Sequence, residues 1–340
     1  MKYLFALGCI FFSLHSISQQ QDTKTMQESA KNFQKKGDYN NAVLVLNRAV
    51  QQDPDNLDVQ KDLAFALYLK TDINKALETI KPLLERRDAE VQVYQVAGMI
   101  YKAKEDLNEA EKLYKKGIKK FPESGVLYND YGELLWYKRD NNAIKQWEKG
   151  MEMDPNYSAN YYNAARYYFY TSDKTWSIIY AEIFVNMESY SRRTIETKYL
   201  LLESYKKLLT DTDIMKNQNS KNPFTIAYLN TVSRASSVIS LGITPESLTV
   251  LRTRFILDWD DKYASRFPYR LFEYHRQLLK EGLFESYNQW LFGPIQNLTA
   301  FQNWTNKHAE SYTEFTTFQQ GRVFKLPKGQ SYQNFQSKRE

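Results

Sequence analysis

The sequence predicts an all-α protein in which pairs of antiparallel helices stack into a right-handed helical solenoid, followed by a further helical region. Three observations predict this class. Small residues recur along the chain with a nearly constant period, large apolar residues recur with the same period, and prolines close several of the resulting units. The period is about 34 residues, and a fixed period of about 20 to 50 residues is typical of repeat architectures, because each unit buries its apolar face only against its neighbours.

Four series of residues define the repeat. The first small series is Ala30, Ala64, Gly98, Gly132 and Ala165, and the second is Ala42, Ala76, Ala110 and Ala143. The large apolar series is Leu46, Ile80, Tyr114 and Trp147, and the closing prolines are Pro54, Pro122 and Pro155. We expect Ala30 and Ala42 at the closest crossing of the two helices of a pair, since a large side chain would separate them there. Gly37 forms the turn within the pair, and Pro54 ends the second helix because proline cannot continue it.

The register gives five units, at residues 23–56, 57–90, 91–124, 125–157 and 158–190. The fourth unit lacks one residue in its turn, Arg139–Asn142. In the fifth, Ser177 replaces the second small residue, so we expect a helical pair there and not a regular repeat. With this period and these markers, residues 23–190 resemble the tetratricopeptide repeat family. The resemblance implies a scaffold or adaptor that binds a protein partner and has no catalytic activity.

The resemblance also implies a partner-binding groove, because in this family the first helix of each unit lines the concave face. Carried over to this chain, the groove residues are Phe65, Tyr68, Met99, Asn129, Trp136, Tyr137, Tyr162, Arg166, Phe169 and Tyr170. The family's pattern of Lys and Asn that clamps a terminal carboxylate is not reproduced, so an acidic C terminus is not the implied ligand. An aromatic and amide surface suits an extended peptide or a helix with apolar anchors. Alternatively, these side chains pack against the C-terminal region folded back into the groove.

Beyond the fifth unit, the sequence predicts one further helix at 194–209, so that the solenoid covers residues 19–209. A polar, Asn-rich loop at 210–223 then marks a possible boundary. Residues 224–316 are predicted to form a helical C-terminal region, and 317–340 an extended tail. The predicted helices there are Phe224–Ser240, Pro245 to Lys262, Pro268 to Gly282 and Leu298 to Phe315. The stretch 266–293, dense in aromatics and Arg, is either a cap over the end of the solenoid or a partner-binding surface.

Residues 1–18 have the features of a secretory signal peptide. Lys2 precedes an apolar run too short to span a bilayer, and Ser16 and Ser18 supply the small residues of a cleavage site. We therefore expect a periplasmic or secreted protein cleaved near Ser18, and the Gln-rich start that follows resembles exported proteins of the Bacteroidota. A lipid anchor on Cys9 is the disfavoured alternative, because the apolar run continues past it. A buried N-terminal helix is the other.

Composition and motifs argue against catalysis and nucleic-acid binding. The 46 basic and 40 acidic residues are interspersed and form no basic stripe of the kind that binds nucleic acid. His275 and His308 lack the spacing of a zinc site, and Asp258 and Asp261 share a predicted helix face next to Lys262, as on a solvated surface. We expect no enzyme activity, no cofactor, no metal and no transmembrane segment. A glycan-binding envelope protein that uses exposed aromatics is the alternative function.

Overall fold

The computed structural model describes residues 22–210, 213–216, 218, 221–240 and 242–334. These residues form helices and connecting segments without a β-strand, which confirms the all-α fold class. The chain divides into two compact units, one ending at Pro122 and the other beginning at Glu123. The loop at 210–223, where the sequence suggested a boundary, lies inside the second unit. The predicted signal peptide and Cys9 lie outside the described residues.

The described residues of the first unit, from 22 onwards, form three helix pairs. Its helices are α1 (22–35), α2 (Tyr39–Gln52), α3 (Leu57–Leu69), α4 (Ile73–Ile80), α5 (Val91–Ala103) and α6 (Leu107–Lys120). The short α4 is followed by a 3-10 helix, Pro82–Glu85, in which Leu83 and Leu84 are buried. Pro82 explains the early end of α4, because its ring and missing N–H stop an α-helix at the preceding residues.

The turn inside each of the first four pairs repeats in its backbone conformation. Each turn contains one residue in the left-handed conformation. These residues are evenly spaced along the chain: Gly37 (φ 76°), Thr71 (φ 65°), Glu105 (φ 62°) and Arg139 (φ 59°). The next residue is always an aspartate, and its N–H donates to the carbonyl five residues earlier, as in Asp38 to Phe33 at 2.9 Å. This bond closes a Schellman motif, which satisfies the last carbonyls of the first helix. Only glycine adopts the left-handed conformation without steric cost, so three of these four turns are strained.

The close crossing of the two helices in a pair is visible at two glycines. A Cβ atom on Gly98 would overlap the Tyr114 hydroxyl, and one on Gly132 would overlap the Trp147 indole nitrogen. At the equivalent positions, the first two pairs combine alanine with an aliphatic side chain, and these residues are buried: Ala30, Leu46, Ala64 and Ile80. The two series therefore vary together, with glycine facing an aromatic ring and alanine standing where the partner is aliphatic.

The second unit begins with two helix pairs and one longer helix. These are α7 (Gly125–Tyr137), α8 (Ala143–Met153), α9 (Ser158–Phe169), α10 (Lys174–Met187) and α11 (Arg192–Leu209). Residues 158–187 form a helical pair, and the buried Ser177 hydroxyl donates to the Ala165 carbonyl at 3.1 Å. Serine is tolerated at this close crossing because its hydroxyl is small and has a hydrogen-bond acceptor.

Six more helices follow in the described part of the second unit. They are α12 (Pro223–Ala235), α13 (Pro245–Lys262), α14 (Arg270–Lys280), α15 (Phe284–Gln296), α16 (Leu298–Lys307) and α17 (Ala309–Gln320). Three features differ from the sequence-based expectation. No helix was predicted at α15, whose residues 284 and 286–293 are all buried, so it lacks an amphipathic pattern. The single helix predicted at Leu298–Phe315 is broken at His308, and the tail predicted from 317 begins only after Gln320.

The aromatic residues of the stretch 266–293 form a core. Phe224 lies among these rings, with centroids 5.6 Å from Phe267, 5.3 Å from Tyr269 and 6.3 Å from Phe272. All of them are buried, as are Tyr274, Phe284, Tyr287, Trp290 and Phe292. These side chains are therefore unavailable to a partner and instead hold α12, α14 and α15 together. Within the described residues, no helix has the length and hydropathy needed to cross a membrane.

Candidate functional site

The predicted groove residues fall in both compact units. Phe65, Tyr68 and Met99 belong to the first unit, on the neighbouring helices α3 and α5. All three side chains are half-buried, and the rings of Phe65 and Tyr68 stack with centroids 6.1 Å apart. Phe65 and Tyr68 form a small apolar patch. The other seven predicted residues lie in the second unit.

In the second unit, side-chain hydrogen bonds place α7, α9 and α11 side by side. The Asn163 amide donates to Asn129 Oδ1 at 2.9 Å and to Glu133 Oε1 at 3.2 Å, which joins α9 to α7. The Tyr162 hydroxyl donates to Glu196 at 3.0 Å, which joins α9 to α11. The first helices of successive pairs are thus neighbours, as the repeat register requires.

Three of the predicted aromatics are open to solvent. Trp136 is 41% exposed, and Tyr137 and Tyr170 are each 72% exposed. The Trp136 ring is supported from within the protein by Trp147 at 6.1 Å and by Tyr167 at 5.5 Å. A ring held on one side and open on the other is ready to contact a partner at little cost in side-chain entropy. Because these side chains are exposed, no described part of the chain fills this end of the surface.

Cations accompany the remaining predicted residues of α9. The Arg166 guanidinium lies 5.3 Å from the centre of the Tyr162 ring and 3.8 Å from the Glu196 carboxylate. The half-buried Phe169 ring has the Lys207 ammonium 3.8 Å from its centre. Both arrangements have the geometry of a cation–π contact, with a positive charge over the face of the ring.

Asn129 has a different position from the one predicted. Its side chain is buried, and its amide donates to Glu133 at 3.1 Å while its Oδ1 accepts from Asn163. The Trp147 indole N–H also donates to the Asn129 carbonyl at 3.3 Å. Asn129 therefore holds α7 against α8 and α9 and does not face solvent.

Two residues on α11 that sequence reasoning missed extend the exposed face. Ile195 is 65% exposed and Tyr199 57% exposed, and both lie close in sequence to Glu196, which binds Tyr162 of α9. The helix was predicted, but groove positions were carried only through the fifth unit. The signal was present in the sequence as an apolar pair four residues apart on a helix. The aromatic surface is defined here as Trp136, Tyr137, Tyr162, Arg166, Phe169, Tyr170, Ile195 and Tyr199.

Three of the residues considered for metal binding or catalysis have other partners. His275 is buried and hydrogen-bonded to Glu182 at 2.7 Å, and burial lowers its pKa. Asp258 binds Arg234 and Lys262, and His308 stacks on Trp304 at 4.4 Å. Among the described residues, no cluster of three or more His, Cys, Asp or Glu side chains could hold a metal ion.

Comparison with known proteins finds a family match for part of the chain. Residues 34–100 match the model of the tetratricopeptide repeat family. A tetratricopeptide repeat protein from Thermus thermophilus is 16% identical, with 55% of this chain and 99% of that chain covered and a TM-score of 0.44. One from Parabacteroides merdae is 15% identical, with 76% and 98% covered and a TM-score of 0.42. No curated protein matches significantly.

The family match covers the region in which the left-handed turn and the small-residue series repeat most regularly. It includes Gly37, Thr71 and the buried glycine Gly98. Proteins with this repeat generally serve as scaffolds that bind other proteins. Over residues 34–100 the chain is therefore similar to the tetratricopeptide repeat.

Proposed function

We propose that this protein is an exported, non-catalytic scaffold that binds a protein or peptide partner through the aromatic surface of its second unit. The observation that carries the proposal is the solvent exposure of Trp136, Tyr137 and Tyr170 on two adjacent helices. Large aromatic side chains are rarely left clustered and exposed without a role, and they dominate the energetics of many interfaces.

The chemistry of the surface defines the partner more closely. Apolar rings alternate with the cations Arg166 and Lys207 and with the carboxylate Glu196. Such a surface suits an extended peptide or an amphipathic helix that inserts apolar anchors and carries charges of both signs between them. Arg166 and Tyr162 are already paired with Glu196, so we expect them to order the surface and Trp136 and Tyr170 to contact the partner.

The proposal is tested by identifying a partner from envelope extract and measuring its affinity for single variants. Trp136→Ala and Tyr170→Ala should each weaken binding by about 2 kcal/mol, or about 30-fold, with unchanged helical content and melting temperature. Tyr190→Ala is the matched control, because Tyr190 is 67% exposed but lies outside the aromatic surface. Equal losses in all three variants, or none, would rule out this surface.

The same variants separate a protein partner from a glycan, since exposed aromatic rings also stack on sugars. Binding of the unaltered protein to a glycan array, lost in Trp136→Ala, would replace the protein-partner proposal with the glycan-binding one. Export is tested separately by N-terminal sequencing of the protein from its native source. A start near Gln19 supports export, whereas an intact Met1 or a lipid on Cys9 contradicts the proposed cleavage.

A further inference from the structure

After α17 the chain crosses the second unit without regular secondary structure, except for a 3-10 turn at Tyr332–Asn334. Residues 322–333 are called the return segment here. Although this segment is irregular, its apolar side chains Phe324, Leu326 and Tyr332 are buried against the helical body. The return segment therefore occupies a surface of the body in the manner of a bound extended peptide.

Two asparagines of the body hold the backbone of the return segment. Asn156 accepts from the Leu326 N–H at 2.9 Å and donates to the Leu326 carbonyl at 3.2 Å. Asn222 donates to the Tyr332 carbonyl at 2.7 Å and to the Gln333 carbonyl at 3.0 Å. Hydrogen bonds to peptide groups do not depend on residue type, so they supply affinity for any extended chain.

Aromatic pockets on the body receive the larger side chains of the return segment. The Tyr332 ring stacks on Phe224 at 4.9 Å, and its hydroxyl donates to the Pro268 carbonyl at 2.9 Å. The Phe324 ring packs edge-on against Tyr274 at 5.6 Å. These pockets select the side chains that fit them, as specificity pockets do in peptide recognition.

Basic residues in the return segment meet defined acceptors. The Arg322 guanidinium lies 3.9 Å from the centre of the Tyr274 ring and donates to Asn186 Oδ1 at 2.7 Å. Lys328 pairs with Glu123 at 2.8 Å. The pattern read by the body is thus a basic residue, an aromatic two positions later, then leucine two positions after that, followed by proline and lysine.

The helices of the body keep most of their own hydrogen bonds without the return segment. Asn222 caps α12 with Oδ1, which accepts from the Phe224 and Thr225 N–H groups at 2.9 and 3.2 Å, and it uses only its amide nitrogen for the segment. At the start of α14, in contrast, a helix N–H group of the body depends on the segment, because the Arg270 N–H donates to Gln330 at 2.7 Å. The cap of α12 is therefore independent of the segment, whereas the first turn of α14 uses it.

We propose that the surface beneath the return segment is a peptide-docking site, separate from the aromatic surface, and that the return segment is its built-in occupant. We expect the same site to bind a second ligand from another molecule. This ligand is an extended peptide of a partner protein, and the peptide has the pattern basic–x–aromatic–x–Leu–Pro–Lys. Such a peptide must displace a tethered competitor, whose effective concentration is in the millimolar range for a short connection. The return segment thereby sets the affinity that a partner needs.

The test uses the full chain carrying Phe324→Ser and Leu326→Ser, which weakens the built-in occupant and alters no residue of the body. The probe is a fluorescent synthetic peptide of residues 321–334, GRVFKLPKGQSYQN, followed by anisotropy. We expect it to bind this variant at least 10-fold more tightly than the unaltered chain. Adding Asn156→Ala should weaken binding at least 10-fold, whereas Asn141→Ala, at an exposed asparagine elsewhere, should have no effect.

Equal peptide binding to the variant and the unaltered chain, or none to either, would overturn the proposal. So would loss of binding on Trp136→Ala, which would place the peptide on the aromatic surface. If the double-serine variant fails to fold, hydrogen exchange on the unaltered chain decides. Exchange of the Leu326 amide through a local opening, well before the helix amides of α9, supports a displaceable segment. Exchange only with global unfolding shows that the segment is a permanent part of the core.

Discussion

The two compact units differ in what they bury. In the first unit the buried side chains are almost all apolar, and Thr23 is the one polar residue buried among those the structure describes there. The second unit buries carboxylates, amides and cations, including Glu148, Glu182, Lys198 and Arg252. The same apolar contacts can recur in every helix pair, whereas each buried charge needs its own counter-charge and hydrogen bonds. The comparison indicates that the first unit follows the repeat throughout, whereas the second keeps the repeated turn and crossing in its first pair and has a polar interior.

The largest expected effect is at the buried ion pair of the second unit. Arg252 and Glu182 are almost completely buried and hydrogen-bonded to each other, and Arg252 also binds Asn288. Arg252→Met should lower the free energy of unfolding by about 3 to 5 kcal/mol, because it leaves a buried carboxylate without its cation. Urea denaturation measures this change.

The control for that prediction is an exposed ion pair of the same unit, Arg276 with Asp260. Arg276→Met should change the free energy of unfolding by no more than about 1 kcal/mol. Similar losses in the two variants would contradict the view that the polar interior distinguishes the second unit.

A second prediction concerns the pH dependence that Glu148 imposes on the second unit. Burial raises the pKa of Glu148 from 4.5 to about 7, opposed by a hydrogen bond from the Tyr168 hydroxyl at 2.6 Å. Because the folded state binds this proton more tightly than the unfolded state, the contribution to stability is full below pH 4.5 and falls as the pH rises through about 7. The loss should be about 3 kcal/mol, and the difference between the unaltered chain and Glu148→Gln isolates it.

Glu182 acts in the opposite sense and provides the contrast. Burial alone would raise its pKa, but Arg252 and His275 lower it to about 2. Its contribution is therefore present above pH 4.5 and lost as the pH falls towards 2. If unfolding curves of the unaltered chain and Glu148→Gln ran parallel between pH 4.5 and 7.5, the assignment to Glu148 would be wrong.

The third prediction tests the close crossing of the two helices within one pair of the first unit, α5 and α6. Gly98→Ala should destabilise the protein by about 1 to 3 kcal/mol, because the added methyl group overlaps the rigid Tyr114 ring. Adding Tyr114→Leu restores the combination that Ala30 and Leu46 have in the first pair, and should recover part of the loss. If the change in unfolding free energy of the double variant equalled the sum of the changes in the two single variants, these positions would not pack on each other.

An independent test of the register uses the second small series. Ala76→Leu and Ala110→Leu, both at fully buried positions, should destabilise by about 1 to 3 kcal/mol. Lys112→Leu, at an exposed position of the same helix as Ala110, should be nearly neutral. Equal melting temperatures for the buried and exposed variants would contradict the predicted crossings.

The smallest effect is expected at the strained turns. Glu105→Gly should stabilise the protein by about 0.5 kcal/mol, since relief of the left-handed strain exceeds the entropy that glycine adds to the unfolded chain. Lys104→Gly, at a neighbouring residue with φ −79°, relieves no strain and should be destabilising. Opposite signs for adjacent substitutions, measured by thermal unfolding, would locate the strain at Glu105.

How well the sequence predicted the structure depends on the range of the contacts involved. Close crossings recur once in every repeat, so the small positions, including Gly98 and Gly132, were visible as a period. The helix α15 was missed because a helix buried on nearly all sides has no polar face to mark its period. The Arg252–Glu182 pair joins residues 70 positions apart in the chain, and no local pattern signals it.

For the candidate site, too, the success of the prediction depended on the range of the contacts. The register placed Trp136, Tyr137 and Tyr170 on the first helices of their pairs, where the structure leaves them exposed. It could not anticipate that Asn129 would be buried by the amide of Asn163, because that contact depends on the packing of α7 against α9. Ile195 and Tyr199 were overlooked because α11 lies beyond the last unit in which the repeat markers are clear.

The coupled variation of glycine with an aromatic ring bears on how such an array can be rearranged by recombination. An exchange that joins the first helix of the second pair to the second helix of the third would set Ala64 against Tyr114, and the methyl group would meet a ring that only Gly98 admits. A crossover between whole pairs keeps each glycine with its own ring. Duplication, deletion and engineering of these units should therefore succeed at the loops between pairs and fail at the turns within them.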